Sequence, residues 1–163
     1  MPEKQTIRKA REDKREGKAP STQAGEFVRE EIEHIREGKH GARSAKQAIA
    51  IGLSKARRAG VELPPPAKGQ TSEETRESAK RALAKGRSKT KPSAKRSRAM
   101  ENVLKREGHA AASHTALSRQ ATSAAKRRGA ASRHRAALKA VKTKGPAGLH
   151  RAAEKAAATR SEN

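Results

Sequence analysis

Large apolar side chains are so scarce in this chain, and so unevenly placed, that one stretch alone can supply a core. Residues 21–66 hold the single phenylalanine, Phe27, and four of the five isoleucines, Ile32, Ile35, Ile49 and Ile51. Within that stretch Ala24, Phe27, Val28, Ile32 and Ile35 recur at helical spacing, as do Ala45, Ala48, Ile49, Gly52, Leu53 and Ala56. At about 100° per residue each set makes one apolar stripe. The pattern predicts an all-α fold built on a helical hairpin over about 22–37 and 45–59. Its core residues are Phe27, Val28, Ile32, Ile35, Ile49, Leu53 and Val61.

Local signals set the ends of the two helices. Ser21 or Thr22 is positioned as the first N-cap, and Gly38 as the stop. Ser44 and Gln47 have capping-box spacing at the start of the second helix, and Gly60 with Val61 suits its close. Gly52 is expected to let the helices approach closely. Glu26, Glu30, Glu33 and Glu37 form an acidic stripe away from the apolar one. That stripe is expected to be solvated, to repel phosphate, and to hold the basic arm when no polyanion is present. A hairpin of this size buries little apolar surface, so a homodimer through it, or folding completed on a partner, is expected.

The remaining segments are poorer in apolar residues. Residues 1–20 read as a mixed-charge lead-in, a frayed helix stopped by Gly17 and Pro20. Residues 64–70, opening with three prolines, read as a stiff linker. Residues 71–86 read as an amphipathic charged helix begun by a Thr71–Glu74 capping box and ended at Gly86. Residues 87–163 read as a basic arm of short helices or disorder, its segments starting near Ser93, Ser113 and Ser132 and stopping at Gly108, Gly129 and Gly145–Pro146. With aromatic residues at 1% and charged residues at 35%, most of the chain outside the hairpin is expected to be extended or disordered.

Charge is the loudest functional signal. The net charge is +23, and residues 88–163 hold 19 Lys and Arg against four acids, a net +15. Such a field attracts polyanions. Candidate phosphate contacts are Arg43, Lys46, Lys55, Arg57 and Arg58 in the hairpin. In the arm they are Lys95, Arg96, Arg98, Lys105, Arg106, Arg119, Lys126, Arg127, Arg128, Arg133, Arg135, Lys139, Lys142 and Lys144. There is no Tyr or Trp, and Phe27 is assigned to the core, so aromatic base stacking is absent. The expected partner is therefore nucleic acid met through its backbone, duplex DNA first and RNA second. A helix-turn-helix reading would place Arg43, Lys46 and Gln47 at base edges, but the six-residue connector is longer than that motif uses.

Other classes lack the inventory. Asp13 is the only aspartate, and no glycine-rich phosphate loop follows a strand pattern. The six histidines show no metal-ligand spacing in sequence, so no metal, cofactor or catalytic residue is expected. No cysteine is present, and no apolar run approaches membrane-spanning length. The N-terminus lacks the apolar segment of a secretory signal. The expectation is a cytoplasmic, nucleoid-associated, non-enzymatic DNA-binding protein. The alternatives are an RNA- or ribosome-associated basic protein, and a protein-interaction module using residues 21–63.

The stretch GEFVREEIEHIREGKHGARSAKQAIAIGLSKARRAGVELPPP resembles an uncharacterised family of small basic bacterial proteins. That family carries a conserved domain of unknown function and is sometimes labelled plasmid-stabilisation or DNA-binding. The KRSRA, ALSRQA and KTKGPAG runs resemble it more loosely. The arm is also similar to the lysine- and alanine-rich tails of linker-histone-like proteins. That family has no established activity or catalytic residues, so the resemblance implies a bacterial source and little mechanism.

Overall fold

Glycines with positive φ close the first three helices in the same way. In the computed structural model, which describes residues 2–88 and 93–161, α1 spans Lys4–Arg15, α2 Pro20–Arg36 and α3 Ala45–Arg58. Gly17, Gly38 and Gly60 follow them at φ 71°, 75° and 93°. After α2 the Gly38 amide donates to Ile35 O (3.2 Å) and the Lys39 amide to His34 O (3.0 Å). The same pair of bonds recurs after α1, from Gly17 and Lys18, and after α3, from Gly60 and Val61. Each pair satisfies carbonyls that the helix end leaves open. Val61 then adds the apolar contact by packing beside Ala56.

Starts are set by different chemistry. The Ser44 side chain accepts from the Gln47 amide (3.2 Å) while Gln47 Oε1 accepts from the Arg43 amide (2.8 Å), so the box at α3 is closed on both sides. α2 begins earlier than its hydroxyls suggest. Pro20 occupies the first turn and Ala19 precedes it with no side-chain cap, because proline's fixed φ and missing N–H suit that position. The Ser21 and Thr22 caps are corrected accordingly. The fourth helix, α4 (Glu73–Ser88), is capped by Ser72, whose Oγ accepts from the Thr75 amide (3.3 Å). The Thr71–Glu74 box is thus displaced by one residue.

Among the described residues the chain has seven α-helices, one 3₁₀ turn and no strand. It divides into two compact units, residues 1–118 and 119–163. In the first unit α2 packs on α3, and Gly52 sits where they come closest: a Cβ there would lie 2.7 Å from the Val28 Cα. Two apolar clusters flank this contact. One gathers Ile32, Ile35, Ala42 and Ala48 with Ala111 and Ala112 of the 3₁₀ turn, and Val28 and Leu117 pack against it. The other gathers Ala10, Ala24, Phe27, Ala56 and Val61, with Ile7, Leu53 and Leu63 against it. Ile49 is half-buried.

The hairpin is covered by other parts of its own chain. α1 lies on α2 and buries Ala10, and α4 lies on α3 and buries Ala79 and Ala82. The segment read as a frayed lead-in is therefore a packed helix; Lys18 Nζ fastens its end to Asp13 (2.7 Å). Gly86 lies inside α4 and does not end it. A Cβ at Gly86 would collide with the Arg57 carbonyl, so the glycine is there for close approach to α3. Downstream, α5 (Ala94–Leu104) buries Leu104. The Leu104 and Gly108 carbonyls accept from the Gly41 (2.9 Å) and Ala42 (3.0 Å) amides of the α2–α3 connector.

The basic arm is not the extended or disordered chain expected from composition. After α5 come α6 (His114–Arg127) and α7 (Gly129–Ser161). Alanine, lysine and arginine are strong helix formers, and alanine costs no side-chain entropy. The sparse apolar content that argues against a core does not argue against a helix. Gly129 (φ 71°) separates α6 from α7, and Gly145, at φ 63° and ψ 177°, breaks α7 just before Pro146. Ser93 caps α5 and Ser113 Oγ accepts from Ala116 at the start of α6. α7 opens at Gly129, three residues before Ser132. Six residues of the arm, 89–92 and 162–163, lie outside the described ones.

Candidate functional site

Two hairpin cations assigned to phosphate have other work. Arg57 is buried; its Nε donates to Leu63 O and its Nη2 to Pro64 O, both at 3.1 Å. Burial pushes the guanidinium pKa down, and the two carbonyls compensate for lost water. Arg57 clamps the proline spacer onto the end of α3. Lys55 Nζ lies 2.5 Å from Oε2 of the buried Glu31. Both positions are corrected from phosphate contacts to internal ties, because a long cationic stem on a packed helix turns inward when an acceptor waits there. Arg43, Lys46 and Arg58 remain exposed. Gln47 is spent on the capping box, which removes it as a base reader.

The arm keeps its cations outward. Lys95, Arg96, Arg98, Lys105, Arg106, Arg119, Lys126, Arg127, Arg128, Arg133, Arg135, Lys139, Lys142 and Lys144 are all exposed. Of these, Lys105 pairs with Glu101 (2.9 Å), which holds the Glu101 carboxyl below its usual range. Arg127 donates to Ser123 Oγ (2.8 Å) and Arg133 to the Ala125 carbonyl (3.2 Å). The others show no carboxylate partner among the described residues. Helical order also sorts them by face. Arg135, Lys139 and Lys142 follow at spacings of four and three on α7, so they line one side, while Arg133 and Lys144 fall on the other. In the first unit Lys18, Arg29, Lys39, Lys55, Arg76 and Lys80 face carboxylates.

The acidic stripe of α2 is only partly solvated. Glu33 and Glu37 are exposed, but Glu30 is 4% exposed because α1 lies along it; Glu30 Oε1 accepts the Glu3 amide (3.1 Å). The next residue, Glu31, is 0% exposed. Around these two carboxylates the fold gathers both histidines of the first 100 residues. His34 Nε2 is 3.0 Å from Glu3 Oε1, and His40 Nε2 is 3.4 Å from Glu31 Oε1. The two rings meet edge-on, centroids 6.3 Å apart. Glu30 Oε2 and Glu31 Oε1 are buried without a hydrogen-bond partner.

This cluster was missed by inspection of spacing. Glu31 and His34 sit at i and i+3 on one helix, a signal that was present. His40 joins them only because Gly38 turns the chain back over the end of α2.

Among the described residues no helix is long and apolar enough to cross a membrane. No curated protein and no solved structure matches the chain. Residues 4–68, which carry α1, α2, α3 and the proline spacer, match the model of a family of unknown function, DUF6496.

Proposed function

We propose that the protein is a non-enzymatic nucleic-acid-binding protein that grips duplex DNA through phosphate contacts, in the manner of a nucleoid-associated or histone-like protein. The basic arm supplies the contacts. The observation that supports this most directly is the exposure of the arm's cations on α6 and α7. The lysines and arginines of α6 and α7 stand exposed on ordered helices, and none of them faces a carboxylate among the described residues. Exposed Lys and Arg release condensed counterions when they meet a polyphosphate backbone, and that gain ignores base sequence. Phe27 is 1% exposed and there is no Tyr or Trp, so aromatic stacking on single-stranded bases has no platform here.

The test is binding of the full chain to a random-sequence duplex over a salt series. A slope of log K against log salt of about −6 to −9 is expected, which corresponds to roughly seven to ten phosphates. Replacing Arg135, Lys139 and Lys142 together with Gln should make the slope shallower by about 2–3, since each contact contributes about 0.9. An unchanged slope and affinity would remove the arm from the binding role. Competition by structured RNA at lower concentration than duplex DNA would move the assignment to the RNA- or ribosome-associated alternative.

A further inference from the structure

Glu31 presents a chemical problem that the protein atoms around it do not solve. Its side chain is wholly buried, Oε2 is taken by Lys55, and Oε1 has no hydrogen bond. A buried carboxylate oxygen without a donor is costly. The group facing it is His40 Nε2, at 3.4 Å. The other nitrogen of that ring, Nδ1, lies 3.1 Å from the Gly41 carbonyl oxygen. A carbonyl only accepts, so Nδ1 carries the proton. In the neutral ring Nε2 is then a lone pair, and two lone pairs face one another across 3.4 Å. Something positive belongs between them.

Two cations would serve, a proton or a metal ion, and the spacing separates them. A charge-assisted imidazolium–carboxylate bond closes to about 2.7–2.9 Å. Two ligands held at about 2.0–2.1 Å from a tetrahedral zinc ion sit about 3.3–3.4 Å apart. The 3.4 Å separation matches the second arrangement. A third donor is in place: nitrogen or oxygen donor atoms of Glu31, His34 and His40 all lie within 4.8 Å of one another. The surroundings also have the features that orient metal ligands. The His40 ring is fixed by a backbone carbonyl and His34 Nε2 is held by Glu3 (3.0 Å), the kind of outer partner that fixes ring tautomer and direction. Lys55 on the far oxygen leaves Glu31 one free coordinating atom.

We propose that Glu31, His34 and His40 bind one divalent transition-metal ion of the zinc type, two imidazoles and one carboxylate leaving a fourth position for water. The role follows from where the ligands sit. Glu31 and His34 belong to α2, and His40 to the connector that leads to α3. The next two residues of that connector, Gly41 and Ala42, already bond to the Leu104 and Gly108 carbonyls. An ion at this point fastens α2, the connector and the 104–108 turn at one place. It stabilises the folded first unit by an amount that grows with the logarithm of free metal above the dissociation constant.

The experiment uses the full chain stripped of metal and titrated with zinc alone, read by calorimetry and by the thermal midpoint. One equivalent is expected to bind and to raise the midpoint. His34→Gln and His40→Gln should each weaken binding more than about 100-fold, beyond the loss seen for outer-shell changes. His150→Gln should leave it intact; His150 pairs with Glu154 on α7 (3.3 Å) and controls for adventitious binding by an exposed His–Glu pair. The proposal is overturned by absence of zinc binding, or by binding that persists in His40→Gln. Absence would leave Glu31 and His40 as a proton-bridged pair. Should a variant fail to fold, cobalt added to the unaltered chain still decides. Intense visible absorption of a four-coordinate ion supports the site, and the weak spectrum of six-coordinate cobalt overturns it.

Discussion

At Gly52 an added Cβ would meet the Val28 Cα at 2.7 Å and the Phe27 carbonyl oxygen at 3.0 Å, both backbone atoms that cannot swing aside. At Gly25, on the same helix pair, it would meet nothing within 4 Å. Gly52→Ala should therefore destabilise by about 1–3 kcal/mol through overpacking. Gly25→Ala should stabilise by about 0.5–1 kcal/mol, because glycine in mid-helix loses more entropy than alanine. Urea denaturation of the two variants checks both signs. The arginines at the end of α3 make a second pair. Arg57→Ala strips the Leu63 and Pro64 carbonyls of their donor and should cost about 2–3 kcal/mol, while the exposed Arg58→Ala should stay within about 0.5 kcal/mol. In duplex titrations Arg57→Ala should leave the salt slope unchanged. Nothing in the local sequence ARRAG tells these two arginines apart. Only the path of the spacer, which brings two carbonyls to one of them, does so.

Helix by helix, the legible features were those written within a few residues. The Ser44–Gln47 box and the glycine closures after α2 and α3 depend on the backbone turn that contains them, so spacing alone reveals them. What α1 does was not legible. Its apolar content is one isoleucine and one buried alanine, and the face it covers, Glu30, looks solvated until α1 is laid on it. α4 shows the opposite limit, with a face too thin to announce a partner and yet packed on α3 through Ala79 and Ala82. Its outer face carries the Lys80–Glu77 pair (2.6 Å), and the Lys80 hydrogen bond holds the Glu77 carboxyl below its ordinary range. A depressed carboxyl pKa stabilises the folded form above the unfolded value and stops doing so as pH falls through the folded one. Amide exchange in α4 should therefore accelerate on acidification beyond the intrinsic pH trend. Glu77→Gln should remove that added dependence, and persistence of it would assign the effect to another group.

For the molecule as a whole, the boundary that matters falls later than the composition suggests. Ala111 and Ala112 lie against Ile32 and Ile35, with Leu117 beside them. Arg36 Nε donates to the Ala112 carbonyl (2.9 Å). A chain ending at residue 88 loses these and Leu104, and should be less stable than the full chain by about 3–5 kcal/mol. A chain ending at 118 should keep the thermal midpoint of the first unit. Equal midpoints for the two truncations would show that residues 93–118 add nothing to the core. Beyond 118 the arm was legible as basic and punctuated by glycine, but not as helical through most of its length, because sparse apolar content argues against a core and not against a helix. The break at Gly145 divides α7 into two helical pieces. Its φ of 63° and ψ of 177° belong to a region that side-chain-bearing residues all but avoid. On either side lie struts of sixteen helical residues, each about 24 Å long. The pair is joined like a carpenter's rule at one elbow, where the two dihedral angles of Gly145 set the distance between the tips.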